Sequence, residues 1–259
     1  EGLLKGPYLD VRLPFRKAAE DEEIPLEIRP AFTPYTHQLV SFRRLSSAEG
    51  RQPRHTLVTT GTGSGKTECF LYPVLDHCWR HRHERGVKAI LLYPMNALAN
   101  DQARRLAQML HGDERLKGQV SAGLYLGGQG THGATGPDHL IDKRDVLRAS
   151  PPDILLTNYR MLDFLLLRPE DQPLWAHNGP DTLRYLVLDE LHTYDGAQGS
   201  DVACLVRRLK ERLKGMRPEG APQRPGGLTC VGTSATLGAK SDPEAARGLV
   251  AFASQVFGE

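Results

Sequence analysis

The stretch TTGTGSGKT, Thr59 to Thr67, decides the fold. An apolar run, TLVTT at Thr56–Thr60, leads into it, and an amphipathic stretch from Lys66 to Arg80 leads out. A glycine-rich turn between a strand and a helix lets successive backbone N–H groups curl inward around phosphates. Gly61, Gly63 and Gly65 give the chain that freedom, and the positive end of the following helix adds to the attraction. Lys66 is then a point charge for the β and γ phosphates. The Thr67 hydroxyl is placed to ligate Mg²⁺. The strict pattern has glycine at the first position, where this chain has Thr60. A turn that binds nothing is the plain alternative, but the strand before it, the helix after it and the intact Gly65-Lys66-Thr67 weigh against that. The candidate nucleotide-binding run is therefore Thr62, Gly63, Ser64, Gly65, Lys66, Thr67 and Glu68.

Outward from the loop, apolar runs alternate with helical patterns. Strands are expected at Thr56–Thr60, Val87–Tyr93, Ser121–Leu126, Asp153–Thr157, Leu183–Asp189 and Leu228–Thr233. The helices between them are expected at Lys66–Arg80, Asn96–Leu110, His139–Arg148, Tyr159–Leu167 and Gln198–Lys214, with a last one at Pro243–Phe257. Strands that alternate with helices give βαβ units, hence an α/β domain with a mostly parallel β-sheet flanked by helices. Residues 1–34 hold five of the 18 prolines and the charge run Glu20–Glu23, so they read as an extended N-terminal lead-in. Residues 35–259 read as one domain. Gly127–Pro137 is glycine-rich and reads as a loop, and Lys214–Gly227 as a proline/glycine linker.

Composition narrows the class. The 259 residues carry 33 Lys and Arg against 31 Asp and Glu, a net charge of +2 that excludes an acidic tail or a histone-like polycation. With 39% hydrophobic and 25% charged residues the chain has enough apolar material for a core. No apolar run approaches the roughly 18 residues that cross a bilayer, so no membrane partner is expected. Cys69, Cys78, Cys204 and Cys230 form no C-x-x-C pair, which fits a reducing, cytoplasmic setting. His77 and His81 share a helix face, but a basic helix end explains the DHCWRHRH cluster without a metal.

A second site of chemistry lies in LRYLVLDELH, Leu183 to His192. An apolar strand runs into two adjacent carboxylates. In a phosphate-loop fold a neighbouring strand supplies an acid near the metal, so Asp189 is the expected Mg²⁺ ligand alongside Thr67. Glu190, one residue on, points differently and suits a general base for the attacking water. His192 completes D-E-x-H, and Lys66, Asp189, Glu190 and His192 form the candidate catalytic set.

These segments, together with SAT at Ser234, Ala235 and Thr236, resemble motifs I, II and III of superfamily 2 helicases, in the right order. PYTHQ at Pro34–Gln38 resembles the element that precedes motif I, whose Gln reads adenine. YPMNALANDQ at Tyr93–Gln102 resembles motif Ia, and TNY at Thr157–Tyr159 resembles motif Ib. The wording is most similar to the MrfA/YprA-like bacterial DExH helicases, a branch that includes DNA-repair and anti-phage defence helicases. The resemblance implies a RecA-like P-loop NTPase fold, ATP and Mg²⁺ as cofactors, adenine contact by Gln38, and coupling of hydrolysis to movement by Ser234, Ala235 and Thr236. It places Pro94, Asn96, Ala97, Gly127, Gly128, Thr157 and Asn158 on one strand of nucleic acid, by branch single-stranded DNA. Short polar groups at strand ends suit phosphate oxygens, which hold a strand without reading its sequence. Nothing after Thr236 resembles the second RecA-like domain, whose arginines stabilise transition-state charge by about 10³-fold or more. The chain is thus expected to be the first motor domain, slow in hydrolysis and unable to unwind duplexes until paired with its second domain. An RNA helicase, or a regulatory nucleotide switch among the subunits of a defence or repair complex, is the alternative.

Overall fold

The computed structural model describes residues 14–128, 130–194, 196–217, 227–235 and 243–258. Six strands form one sheet: β1 (Thr56–Thr59), β2 (Ala89–Leu92), β3 (Ala122–Tyr125), β4 (Ile154–Thr157), β5 (Tyr185–Leu188) and β6 (Thr229–Ser234). Their order is β1-β6-β5-β2-β4-β3, and every pairing is parallel. The first five fall within the ranges expected from sequence, and β6 runs one residue further, because Ser234 continues the pairing opposite Thr59. The architecture is the RecA-like one.

Among the described residues seven α-helices connect and cover the strands: α1 (Thr36–Leu45), α2 (Lys66–Arg80), α3 (Asn96–Gly112), α4 (Arg144–Ala149), α5 (Tyr159–Leu167), α6 (Gly196–Gly215) and α7 (Pro243–Phe257). Side-chain alternation along β2 shows why both faces must be covered. Ile90 and Leu92 join Leu162, Leu165, Val202, Leu205 and Val256 of α5, α6 and α7 in one core. Ala89 and Leu91 join Phe70, Val74, Leu106 and Leu110 of α2 and α3 in the other. Burying both sides of a strand leaves its polar end residues as the place where chemistry can emerge.

Two helices differ from expectation. Helix α1 is additional to the expected elements. Its apolar face, Leu39, Phe42 and Leu45, is buried, and Gln38 caps it by accepting from the Tyr35 N–H at 2.8 Å. Helix α4 begins at Arg144 rather than His139. The residues before it are held alongside β3 instead, where Ile141 bridges Gly123 and its carbonyl accepts from the Leu124 N–H at 2.8 Å. The lead-in follows α1 and α2: the Glu27 and Ile28 N–H groups donate to Asp76 Oδ1 of α2 at 2.6 and 2.9 Å. Ala18 and Leu26 pack on Leu39 and Phe42.

Candidate functional site

All candidate residues that the structure describes, apart from Gln38, lie at or just beyond the carboxyl ends of the strands or at the starts of the helices that follow. That edge is where ligands bind in open parallel sheets. Gly63 and Gly65 in the loop after β1 have φ of 75° and 74°, a left-handed backbone that favours glycine. Gly65 is constrained twice, because a Cβ there would collide with Gln38 Nε2. Neither Thr60 nor Gly61 is left-handed, which is why threonine is tolerated where the strict pattern has glycine. The Thr60 hydroxyl braces the loop by bonding the buried Ser64 hydroxyl at 2.5 Å. Lys66 lies across the loop mouth, donating to the Thr60 and Gly61 carbonyls at 2.9 and 3.2 Å.

The amino end of α1 clamps this loop. His37 Nε2 bonds the Ser64 carbonyl at 2.9 Å, and Gln38 Nε2 donates to the Gly65 carbonyl at 3.1 Å. Gln38 is 1% exposed, with Oε1 accepting from the Tyr35 N–H and Nε2 donating to the Gly65 carbonyl, so here it braces the loop. Glu68 is ion-paired to Arg105 of α3, which compensates its charge within the protein. Thr67 is half-buried in the first turn of α2, and Thr62 is exposed at the loop tip.

Strand register builds the acidic centre. Leu188 of β5 is opposite Gly232 of β6, so Asp189 falls beside Thr233. The Thr233 hydroxyl donates to Asp189 Oδ1 and accepts from the Glu190 N–H at 3.1 Å. One hydroxyl therefore fixes both acids. Burial raises the Asp189 carboxyl above its ordinary range, and the Glu190 charge adds to this, while the Thr233 bond and Lys66 oppose it. A buried carboxylate that is costly to ionise without a counter-charge has the chemistry of a hard-cation ligand.

Glu190 is in the left-handed region, at φ 50° and ψ 51°. Such a conformation costs a non-glycine residue about 1–2 kcal/mol and persists only where neighbours over-determine it. Here the Glu190 carbonyl accepts from the Thr193 N–H and hydroxyl, both at 2.8 Å. Its Oε2 is buried without a hydrogen-bond partner among the described residues and lies 3.4 Å from His192 Nδ1. The same His192 nitrogen is 3.1 Å from the Ser234 hydroxyl. Ala235 follows at a half-buried bend, and Thr236 lies outside the described residues. Sequence reasoning missed His37 and Thr233. The second was adjacent to a motif already read, but its place beside Asp189 follows from strand register.

Across the sheet, the ends of β2, β4 and β3 carry a different set. Asn158 caps α5 by accepting from the Met161 N–H at 2.8 Å, and its Nδ2 donates to Asn96 Oδ1 at 2.8 Å. Two of the residues expected to hold a strand are thus joined side chain to side chain. Pro94 is half-buried, Ala97 is exposed beside Asn96, and Met95 between them is 62% exposed. Among the described residues, chain neighbours apart, no atom comes within 4 Å of where a Cβ on Gly127 or Gly128 would sit, so backbone there is open to approach. Thr157 is the departure. It is fully buried and donates to the Tyr125 carbonyl at 2.6 Å, so its side chain ties β4 to β3 and is not presented at the surface.

Comparison with known proteins places this geometry. Residues 36–243 match the DEAD/DEAH box helicase family. The Druantia protein DruE of Escherichia coli is 26% identical over 94% of this chain and 19% of its own length. ATP-dependent helicase YprA of Bacillus subtilis is 34% identical over 68% of this chain and 20% of its own. Among solved structures, the DUF1998 helicase MrfA bound to DNA and AMPPNP superimposes with a TM-score of 0.62 at 27% identity, covering 94% of this chain and 29% of MrfA. The chain therefore spans about a fifth to a third of the length of these relatives.

Proposed function

The chain belongs to the DEAD/DEAH box helicase family, and from that premise we propose that it is the ATP-binding motor domain of a DNA helicase or translocase. It hydrolyses ATP with Mg²⁺ to move on single-stranded DNA once paired with a second RecA-like domain. The observation that carries this reading is the common edge: Lys66, Asp189 and Glu190 emerge at one half of it, and Asn96 and Asn158 at the other. MrfA, a relative aligned over most of the chain, is a helicase seen with DNA and an ATP analogue, which supports DNA as the partner and the adenine nucleotide as cofactor.

In this mechanism Lys66 leaves the Thr60 and Gly61 carbonyls and turns to the phosphates. The loop N–H groups between Thr62 and Thr67 hold those phosphates. Asp189 and Thr67 would hold Mg²⁺, which would supply charge to neutralise the phosphates. Glu190, whose Oε2 lacks a hydrogen-bond partner among the described residues, takes the proton of the attacking water. The bond between His192 and Ser234 then links that event to the segment that includes Ala235 and Thr236. Adenine recognition by Gln38 would use the second N–H of its amide or the second lone pair of Oε1, the first of each being engaged within the protein. Intact Lys66, Asp189 and Glu190 argue against a purely regulatory nucleotide switch. No helix among the described residues is long and apolar enough to cross a membrane, in keeping with a cytoplasmic motor that works alone or within a repair or defence complex.

The test is ATP hydrolysis by the full-length protein, alone and with single-stranded DNA or RNA. Stimulation by DNA and not RNA, abolished by Glu190→Gln, is the expected result. Stimulation by RNA alone transfers the proposal to RNA, and ATP binding without stimulation by either polymer refutes the motor reading.

A further inference from the structure

Beyond the edge strand β3 lies a cavity of about 340 Å³ lined by Gly130, Lys143, Arg144, Asp145 and Arg148. Three of its side chains are cationic and one is acidic. Arg148 is already compensated, with Nε and Nη2 at 2.9 and 2.8 Å from Oδ1 of the fully buried Asp171. Asp145, 3.9 Å from Arg148 Nη1, adds to that compensation. Lys143 and Arg144 have no carboxylate within ion-pair distance among the described residues, and with Asp145 and Asp171 set against the three cations the cavity and its wall keep a net charge of +1.

The position of Arg144 is fixed. Its Nη2 donates to the Leu126 carbonyl at 3.1 Å, and its guanidinium is 5.5 Å from the centre of the Tyr125 ring. Both anchors are at the carboxyl end of β3, immediately before Gly127 and Gly128. Gly130 ties the same loop to Lys143 from the other side. A Cβ at Gly130 would collide with the Asp142 carbonyl, so only glycine allows the chain to press against the residue preceding Lys143. The cationic pair is thereby held beside the two open glycines.

We propose that Lys143 and Arg144 form a subsite for a backbone phosphate of the bound strand, one step past Gly127 and Gly128 and outside the sheet. This rests on the reading of Asn96, Asn158, Gly127 and Gly128 as a strand-holding face. The guanidinium fork offers directional donors to phosphate oxygens and the ammonium a mobile point charge. A phosphodiester and a free phosphate ion share the chemistry, but the continuity with the glycine pair favours the strand.

The experiment measures binding of the full-length protein to a long and a short thymidine oligonucleotide across a salt series. Lys143→Gln is the primary variant because Lys143 is exposed and ion-paired to nothing among the described residues. Arg144→Gln is the second, and Asn158→Ala the control for the face itself. Removing one cation from a backbone phosphate lowers the slope of log K against log salt by about 0.7 for a single strand. The expected result is that decrease for Lys143→Gln on the long oligonucleotide and none on the short one, with Arg144→Gln showing the same pattern. An unchanged slope in both variants, while Asn158→Ala weakens both oligonucleotides, overturns the subsite and leaves the strand face standing. No effect of any of the three overturns the strand face as well. If Lys143→Gln alters only retention of inorganic phosphate, the cavity is an anion site unrelated to the strand and the proposal fails.

Discussion

The nucleotide half of the sheet edge, at β1, β6 and β5, and the opposite half, at β2, β4 and β3, are built from similar polar residues used in opposite ways. On the nucleotide side nearly every group is bonded to another group of the same site: Thr60 to Ser64, Lys66 to the loop carbonyls, Thr233 to both acids, His192 to Ser234. On the other side one bond, Asn158 to Asn96, links residues whose neighbours Met95, Ala97, Gly127 and Gly128 lie open. Preorganised dipoles suit charge that develops at one fixed point. An open face with few commitments suits a ribbon of phosphates that must be gripped and released.

The most severe test of that contrast is Glu190→Gln in the full-length protein. The substitution keeps the shape and removes the base, so nucleic-acid-stimulated hydrolysis is expected to fall about 10²–10⁴-fold, the range of a positioned general base. Affinities for ATP and for the strand should be nearly unchanged. A hydrolysis rate within a few-fold of the wild type shows that Glu190 is not the base. Next in size is Thr233→Val, which preserves volume and deletes the hydroxyl that serves both acids. Leaving a buried N–H and a carboxylate without that partner costs about 1–3 kcal/mol. At about 2–4 °C per kcal/mol for a domain of this size, the thermal midpoint should fall by several degrees, and hydrolysis should fall with it. If hydrolysis alone changes, Thr233 does not brace the folded state.

The opposite half should respond differently to Asn158→Ala. Loss of the helix cap costs about 1 kcal/mol, and loss of the bond to Asn96 loosens the face proposed to hold the strand. Weaker strand binding with unchanged ATP affinity in the absence of DNA is the expected pattern, read by paired titrations. A matching loss of ATP affinity means that the two halves are one coupled unit even before the strand arrives.

The same contrast explains what was legible in the sequence. Gly63, Gly65, Lys66, Asp189 and Glu190 could be read directly, because a fixed chemical task demands particular residue types in a particular order. The central strands β2, β4 and β5 could be read because doubly covered strands are near-continuous apolar runs. The strand-holding residues are named only through resemblance, since Asn96 and Asn158 individually look like ordinary helix starts. Thr157 is misplaced by sequence for a physical reason: a hydroxyl at a strand end is visible there but not the direction in which it points, and here it faces the Tyr125 carbonyl. Helix α1 escapes notice because its buried apolar face is only three residues, Leu39, Phe42 and Leu45, and its cap is made by a glutamine that the resemblance assigns to adenine. Thr233 needed strand register, which no local pattern contains.

The smallest effect expected is also the one that measures what preorganisation costs. The Asp189 carboxyl is raised above its ordinary range, chiefly by burial. A carboxyl with a folded pKa above its unfolded one is neutral in both states at low pH. As pH rises past the unfolded value, the unfolded state loses its proton first, and stability falls until the folded pKa has also been passed. At neutral pH, well above the unfolded value, the buried Asp189 carboxyl is therefore a net cost to the fold when no cation is bound. Asp189→Asn keeps an oxygen for the Thr233 hydroxyl and removes the charge. Without nucleotide or Mg²⁺, the variant's thermal midpoint should exceed that of the wild type at pH 7, by about 2–4 °C if the cost is near 1 kcal/mol. The difference should shrink as the pH is lowered towards the ordinary carboxylate range. Added Mg²⁺ and ATP should then stabilise the wild type more than the variant. A variant less stable than the wild type at pH 7, measured by thermal melts over a pH series, means that the ionised acid is compensated within the fold, and the nucleotide half then carries no stored cost for the cation to relieve.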